Sequence, residues 1–168
     1  MILNRKEAVL KKELIQDFSL RISQASKTEL IVIMYDIILE DIKAAKEALL
    51  EKNGEACTHE LKHAGRIVNE LMGALDYTYP ISYRLMSLYI FLNKQLIDAE
   101  REQDTTMLDD ATDILSMLRE SFSSISALDY SGPLMQNTQQ VYAGLTYGKG
   151  KLNETCLDPS QRSRGFMA

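Results

Sequence analysis

Between Glu29 and Ile125 apolar residues recur at helical spacing through long segments, and the breaks between those segments are only a few residues long. Helices joined this tightly must run back along their neighbours, because a parallel return needs a long connection that such breaks do not contain. The pattern predicts an all-α fold. It reads as an antiparallel four-helix bundle over residues 26–128, with an additional amino-terminal amphipathic helix over 1–25 and a mostly irregular carboxy-terminal tail over 129–168.

The first helix is expected over residues 4–24, where Leu10, Leu14, Phe18 and Ile22 recur every fourth position. Ser26-Lys27-Thr28-Glu29 then has the form of a capping box, in which serine and glutamate side chains satisfy each other's backbone amides and start a new helix. From Leu30 to Leu39 only Asp36 interrupts the apolar residues, so this helix should lie centrally and be covered on several sides. Asn53-Gly54 should end it, with Gly54 in the left-handed conformation. The next helix, over about 55–76, carries Cys57, Leu61, Ala64, Val68, Leu71 and Leu75 as its inward stripe and stops before Tyr79-Pro80. Pro80 suits the first turn of a helix, where its missing amide has no partner to lose.

The helix expected over about 80–102 has two apolar stripes. Ile81, Leu85, Leu88, Leu92 and Leu96 form one, read as the core face, and Tyr83, Met86, Ile90 and Ile97 form the other. A small bundle has no room to bury both, so the second stripe is either a groove for a partner or the place where the amino-terminal helix or the tail packs. Asp104 is the expected cap of a last helix over about 105–127, with Met107, Ala111, Ile114, Leu118, Phe122 and Ile125 on one side and Leu108 and Leu115 beside them. The residues expected to meet a partner are Tyr83, Met86, Tyr89, Ile90, Ile97, Leu108 and Leu115. Five of the eight glycines and two of the three prolines fall in residues 129–168, which marks a tail, and VYAGLTY at 141–147 stands out in it as a possible docking segment.

Charge and cysteine content exclude several classes. Acidic residues dominate 28–128 although Lys and Arg prevail over 1–27, and a net charge of −5 with no clustered basic face argues against nucleic-acid binding by the body. No stretch approaches the roughly 20 apolar residues of a membrane span and the amino terminus lacks a signal-peptide pattern, so a cytoplasmic protein without membrane insertion is expected. Cys57 and Cys156 have neither pairing nor metal-ligand spacing.

No phosphate-binding glycine loop and no nucleophile with a local base is present, and no cofactor or metal is expected. Glu60-x-x-His63 matches half of a di-iron carboxylate site, but the only histidines are His59 and His63, so the second half is missing. His59-Glu60-Leu61-Lys62-His63-Ala64-Gly65 resembles the His-x-x-Lys-Gly pattern of histidine phosphotransfer domains, with His63 in place of the glycine. That leaves a phosphotransfer domain using His59 as the enzymatic alternative to a non-enzymatic binding protein, and a generic helical interaction module as a third reading.

TELIVIMYDIILEDI at 28–42, ELMGALDY at 70–77 and LMSLYIFLNKQLIDA at 85–99 resemble, in their order and spacing, flagellin-specific export chaperones of the FliS family over residues 28–127. The resemblance rests most on Met34-Tyr35-Asp36, on the Ala-Leu-Asp before the central turn and on Leu88-Tyr89 after it. It implies a cytoplasmic helical bundle that binds the carboxy-terminal segment of flagellin, prevents its premature polymerisation and assists delivery to the flagellar export apparatus. Two departures stand out: the family's short extended amino terminus is replaced by the basic helix of residues 4–24, and the tail is longer than the bundle requires.

Overall fold

The computed structural model describes residues 2–135, with side chains from Glu13 onward, all within a unit that ends at Gln136. Among the described residues it is all-helical: α1 (Ile2–Gln24), α2 (Lys27–Leu50), α3 (Gly54–Gly73), α4 (Ile81–Glu102) and α5 (Leu108–Ser126). The docking segment expected at 141–147 and Cys156 lie outside the described residues.

α2 is central. It packs against both α3 and α5, α4 packs chiefly on α3, and α1 touches α2. The core follows from the apolar run noted above, with Tyr35, Ile38, Ile42, Ala45 and Ala48 of α2 buried among Cys57, Leu61, Ala64 and Val68 of α3. Burying one such Leu or Ile stabilises the fold by about 1.5–3 kcal/mol, against about 1 kcal/mol for a helix cap. Packing therefore decides where the helices form, and the residues that precede α4 and α5, Pro80 and Met107, supply no side-chain cap.

The capping box at Ser26 forms as the sequence implied: the Glu29 amide donates to Ser26 Oγ at 3.2 Å and the Ser26 amide to Glu29 Oε2 at 2.8 Å. The end of α2 differs from expectation. Lys52, not Gly54, takes the left-handed conformation (φ 60°), and the Asn53 and Lys52 amides close the helix on the Ala48 and Leu49 carbonyls. Asn53 then caps α3 through Ala56, and a Cβ on Gly54 would stand 2.5 Å from Gln103 Oε1, so a larger residue there would displace the end of that side chain. Asp104 likewise does not cap α5. Its carboxylate accepts from the Thr106 amide at 2.9 Å, forming a turn that precedes a helix starting at Leu108.

α4 is rotated about 30° from its expected orientation. Its buried residues are Ser82, Tyr89, Leu92, Leu96 and Ala99, so Ile81, expected in the core, is exposed. On this inner face the Tyr35 and Tyr89 hydroxyls meet at 2.5 Å inside the core, and the Tyr35 ring lies 5.6 Å from Phe122 of α5. Burial pushes both phenols up, so both stay protonated. In α5 the fully buried residues are Leu108, Ala111 and Leu115, while Ile125 is exposed where the helix ends.

Two polar ties hold the outer elements. Asp36 of α2 accepts from Arg21 Nη2 of α1 at 2.5 Å and from Arg119 Nε of α5 at 2.7 Å. Past α5 the chain continues to Leu134, whose amide donates to the Ala25 carbonyl at 2.9 Å, so the segment after Leu128 is tied to the α1–α2 junction.

Candidate functional site

α4 separates the residues expected to meet a partner into two groups. Tyr83, Ile90 and Ile97 are 62%, 53% and 61% exposed and share the outer face of the helix, with Met86 half-buried beside them toward α3. Tyr89, Leu108 and Leu115 are 2%, 0% and 1% exposed and belong to the core, which corrects their expected position on a surface. The hydroxyl of Tyr89 has its partner in Tyr35, and Leu108 and Leu115 form the face that α5 turns inward.

The outer face is extended by residues the pattern did not single out. Tyr77 and Tyr79, in the turn before α4, are exposed, and the Tyr77 ring stands 5.4 Å from that of Tyr83. Asp76 sets this turn: its Oδ1 accepts from the Thr78 amide at 2.9 Å and the Thr78 hydroxyl at 2.7 Å, and its carbonyl accepts from Ser82 Oγ at 2.5 Å. Those Thr78 bonds hold the Asp76 carboxyl below its usual pKa. The signal for the aromatic extension was present as Tyr77-x-Tyr79-Pro80, which a helix-centred reading treats only as a stop.

The edge of α4 facing α3 is polar where the outer stripe is apolar. Asn93 Nδ2 donates to Asn69 Oδ1 of α3 at 2.7 Å and approaches Met72 Sδ at 3.4 Å. Further along, Lys62 of α3 pairs with Glu100 of α4 at 3.2 Å.

The histidines meet other demands. His63 Nδ1 bonds Asp41 Oδ2 of α2 at 2.7 Å, which ties its ring to the bundle rather than to a metal site with Glu60. The His59 side chain is 69% exposed, with Glu60 Oε1 3.5 Å from its ring. Lys62, the cation that a phosphoryl group on His59 would need, is engaged by Glu100. Among the described residues no three His, Cys, Asp or Glu side chains converge as metal ligands, and no helix is long and apolar enough to cross a membrane.

The body is helical and turns an apolar face of α4 outward, with Tyr77 and Tyr79 exposed in the turn before it. In comparison with protein families, the model described as flagellar protein FliS matches residues 12–129. The chain belongs to the FliS family of flagellar export chaperones. The match begins at residue 12, earlier than the resemblance over 28–127, so the second half of α1 falls inside the matched region. Among curated proteins the comparison found no match.

Proposed function

We propose that this protein is a cytoplasmic chaperone that binds the carboxy-terminal segment of flagellin on the outer face of α4, prevents premature polymerisation and assists delivery to the export apparatus. Residues 26–128, as an antiparallel four-helix bundle, are the guest-binding body, with residues 1–25 as an appended helix and 129–168 as a tail. The observation that carries this reading is the exposed stripe of Tyr83, Ile90 and Ile97 on a helix whose other side is already packed, in a chain of this family. A disordered guest that folds an amphipathic helix onto such a stripe orders only when bound, and loses in the same step the apolar surface it would use to assemble.

Calorimetric titration of the full chain with a flagellin carboxy-terminal peptide should give near one-to-one binding with a gain of helical circular dichroism. Ile90→Glu, at an exposed position, should weaken binding about tenfold or more with the fold unchanged. Failure of the peptide to bind, together with phosphorylation of His59 by a phosphodonor kinase, would replace this reading with the phosphotransfer one.

A further inference from the structure

Tyr83, Ile90 and Ile97 stand seven residues apart, and Met86 follows Tyr83 by three. Alternating steps of three and four are the spacing of a helix–helix seam, and the next seam position is Asn93. Both Asn93 amide protons are directed to α3, toward Asn69 Oδ1 and Met72 Sδ. Its Oδ1 lies 3.7 Å from the point a Cβ on Gly65 would occupy, where α3 has no side chain to cover it. Asn69, exposed and accepting through its oxygen, retains its own amide donors for another partner. Arg66, three residues before Asn69 on α3, and Lys94, next to Asn93 on α4, are both exposed, in a stretch where acidic residues outnumber basic ones.

We propose that the Asn69–Asn93 pair, together with Arg66 and Lys94, sets the register and charge preference of the guest. The surface accepts an amphipathic helix with apolar residues at seven-residue spacing, a polar amide or hydroxyl side chain opposite Asn93, and carboxylates beside Arg66 and Lys94. A guest slipped by three or four residues would lay an apolar side chain over the Asn93 carbonyl oxygen and the Asn69 amide donors and leave those groups without partners. Its carboxylates would also lose their cations. This inference rests on the reading that α4 holds the flagellin segment.

The test titrates the full chain with three ligands: the flagellin carboxy-terminal segment and two otherwise identical acidic helical peptides of seven-residue apolar repeat, one with Asn and one with Leu at the central seam position. The wild-type chain should prefer the Asn peptide about tenfold, and Asn93→Leu and Asn93→Ala should both abolish or reverse that preference. Arg66→Glu/Lys94→Glu should weaken the Asn peptide about tenfold and recover it when the peptide's glutamates are exchanged for lysines. Circular dichroism of each variant checks the fold. If the flagellin segment binds while the wild-type chain treats both peptides alike, or if the charge reversal has no effect, the register inference fails and the chaperone reading stands. If the flagellin segment does not bind at all, both fail.

Discussion

Tyr35 and Tyr89 carry more of the architecture than their sequence contexts suggest. Each sits in a run of apolar residues where a leucine would pack, yet the two hydroxyls reach each other across α2 and α4 at 2.5 Å with almost no exposed surface. A single phenol at that depth would be destabilising, and two satisfy one another. Tyr89→Phe should lower the free energy of unfolding by about 1–2 kcal/mol because the Tyr35 hydroxyl is left buried without its partner. The double variant Tyr35→Phe/Tyr89→Phe should lose less than the sum of the single changes, which a urea-denaturation cycle would measure. A one-dimensional pattern does not reveal such a pair, because a tyrosine between apolar neighbours fits a core face and a docking face equally well. For that reason Tyr89 belongs to the partner-binding set by sequence and to the core by structure.

At the level of the helix, periodicity identified α3 almost completely: Cys57, Leu61, Ala64, Val68 and Leu71 are all buried. For α4 and α5 it was right in part: Leu92, Leu96 and Ala111 are buried and Leu85, Met107, Ile114, Leu118 and Phe122 pack against the core, but two adjacent stripes are apolar and the choice between them depends on neighbours. Leu108 and Leu115 turn inward because α2 lies across them, and Ile81 turns outward because Ser82 and Tyr89 take the inner positions. The outer stripe of Tyr83, Ile90 and Ile97, with Met86 half-buried beside it, was legible as surplus, whereas the ties among α1, α2 and α5 were not, since Arg21, Asp36 and Arg119 lie far apart in sequence. Partial burial pushes the Asp36 carboxyl up, but the hydrogen bonds and charges of Arg119 and Arg21 outweigh it and its pKa falls below the ordinary 3.8. The unfolded chain then takes up this proton more readily, so the stabilisation is complete above the ordinary carboxylate pKa and is lost as pH falls below it. Asp36→Asn should cost about 1 kcal/mol at neutral pH, a modest value because both arginines are partly exposed, and should flatten the loss of stability on acidification. Urea midpoints at pH 7 and pH 3 would report both effects.

Among the described residues, hydrogen bonds continue past the boundary expected at residue 128. The Ser131 amide and hydroxyl bond to Asp129 Oδ1 at 2.9 Å and 2.6 Å, and Leu134 reaches Ala25. A chain cut after Leu128 should therefore be less stable than one cut after Gln136, by about 1 kcal/mol in thermal or urea unfolding. Composition marked the change of texture after Leu128 but contained no sign that the segment returns to the α1–α2 junction, because a backbone bond leaves no trace in side-chain pattern. The phenol pair has a further consequence for a protein of this kind. α4 carries apolar side chains toward the core and others toward the outside, so a turn about its long axis would exchange one apolar face for the other. The Tyr35–Tyr89 bond opposes that exchange, since the turned helix would carry one hydroxyl into water and strand the other in the interior. It works as a rotational lock that holds Tyr83, Ile90 and Ile97 on the outer side of α4.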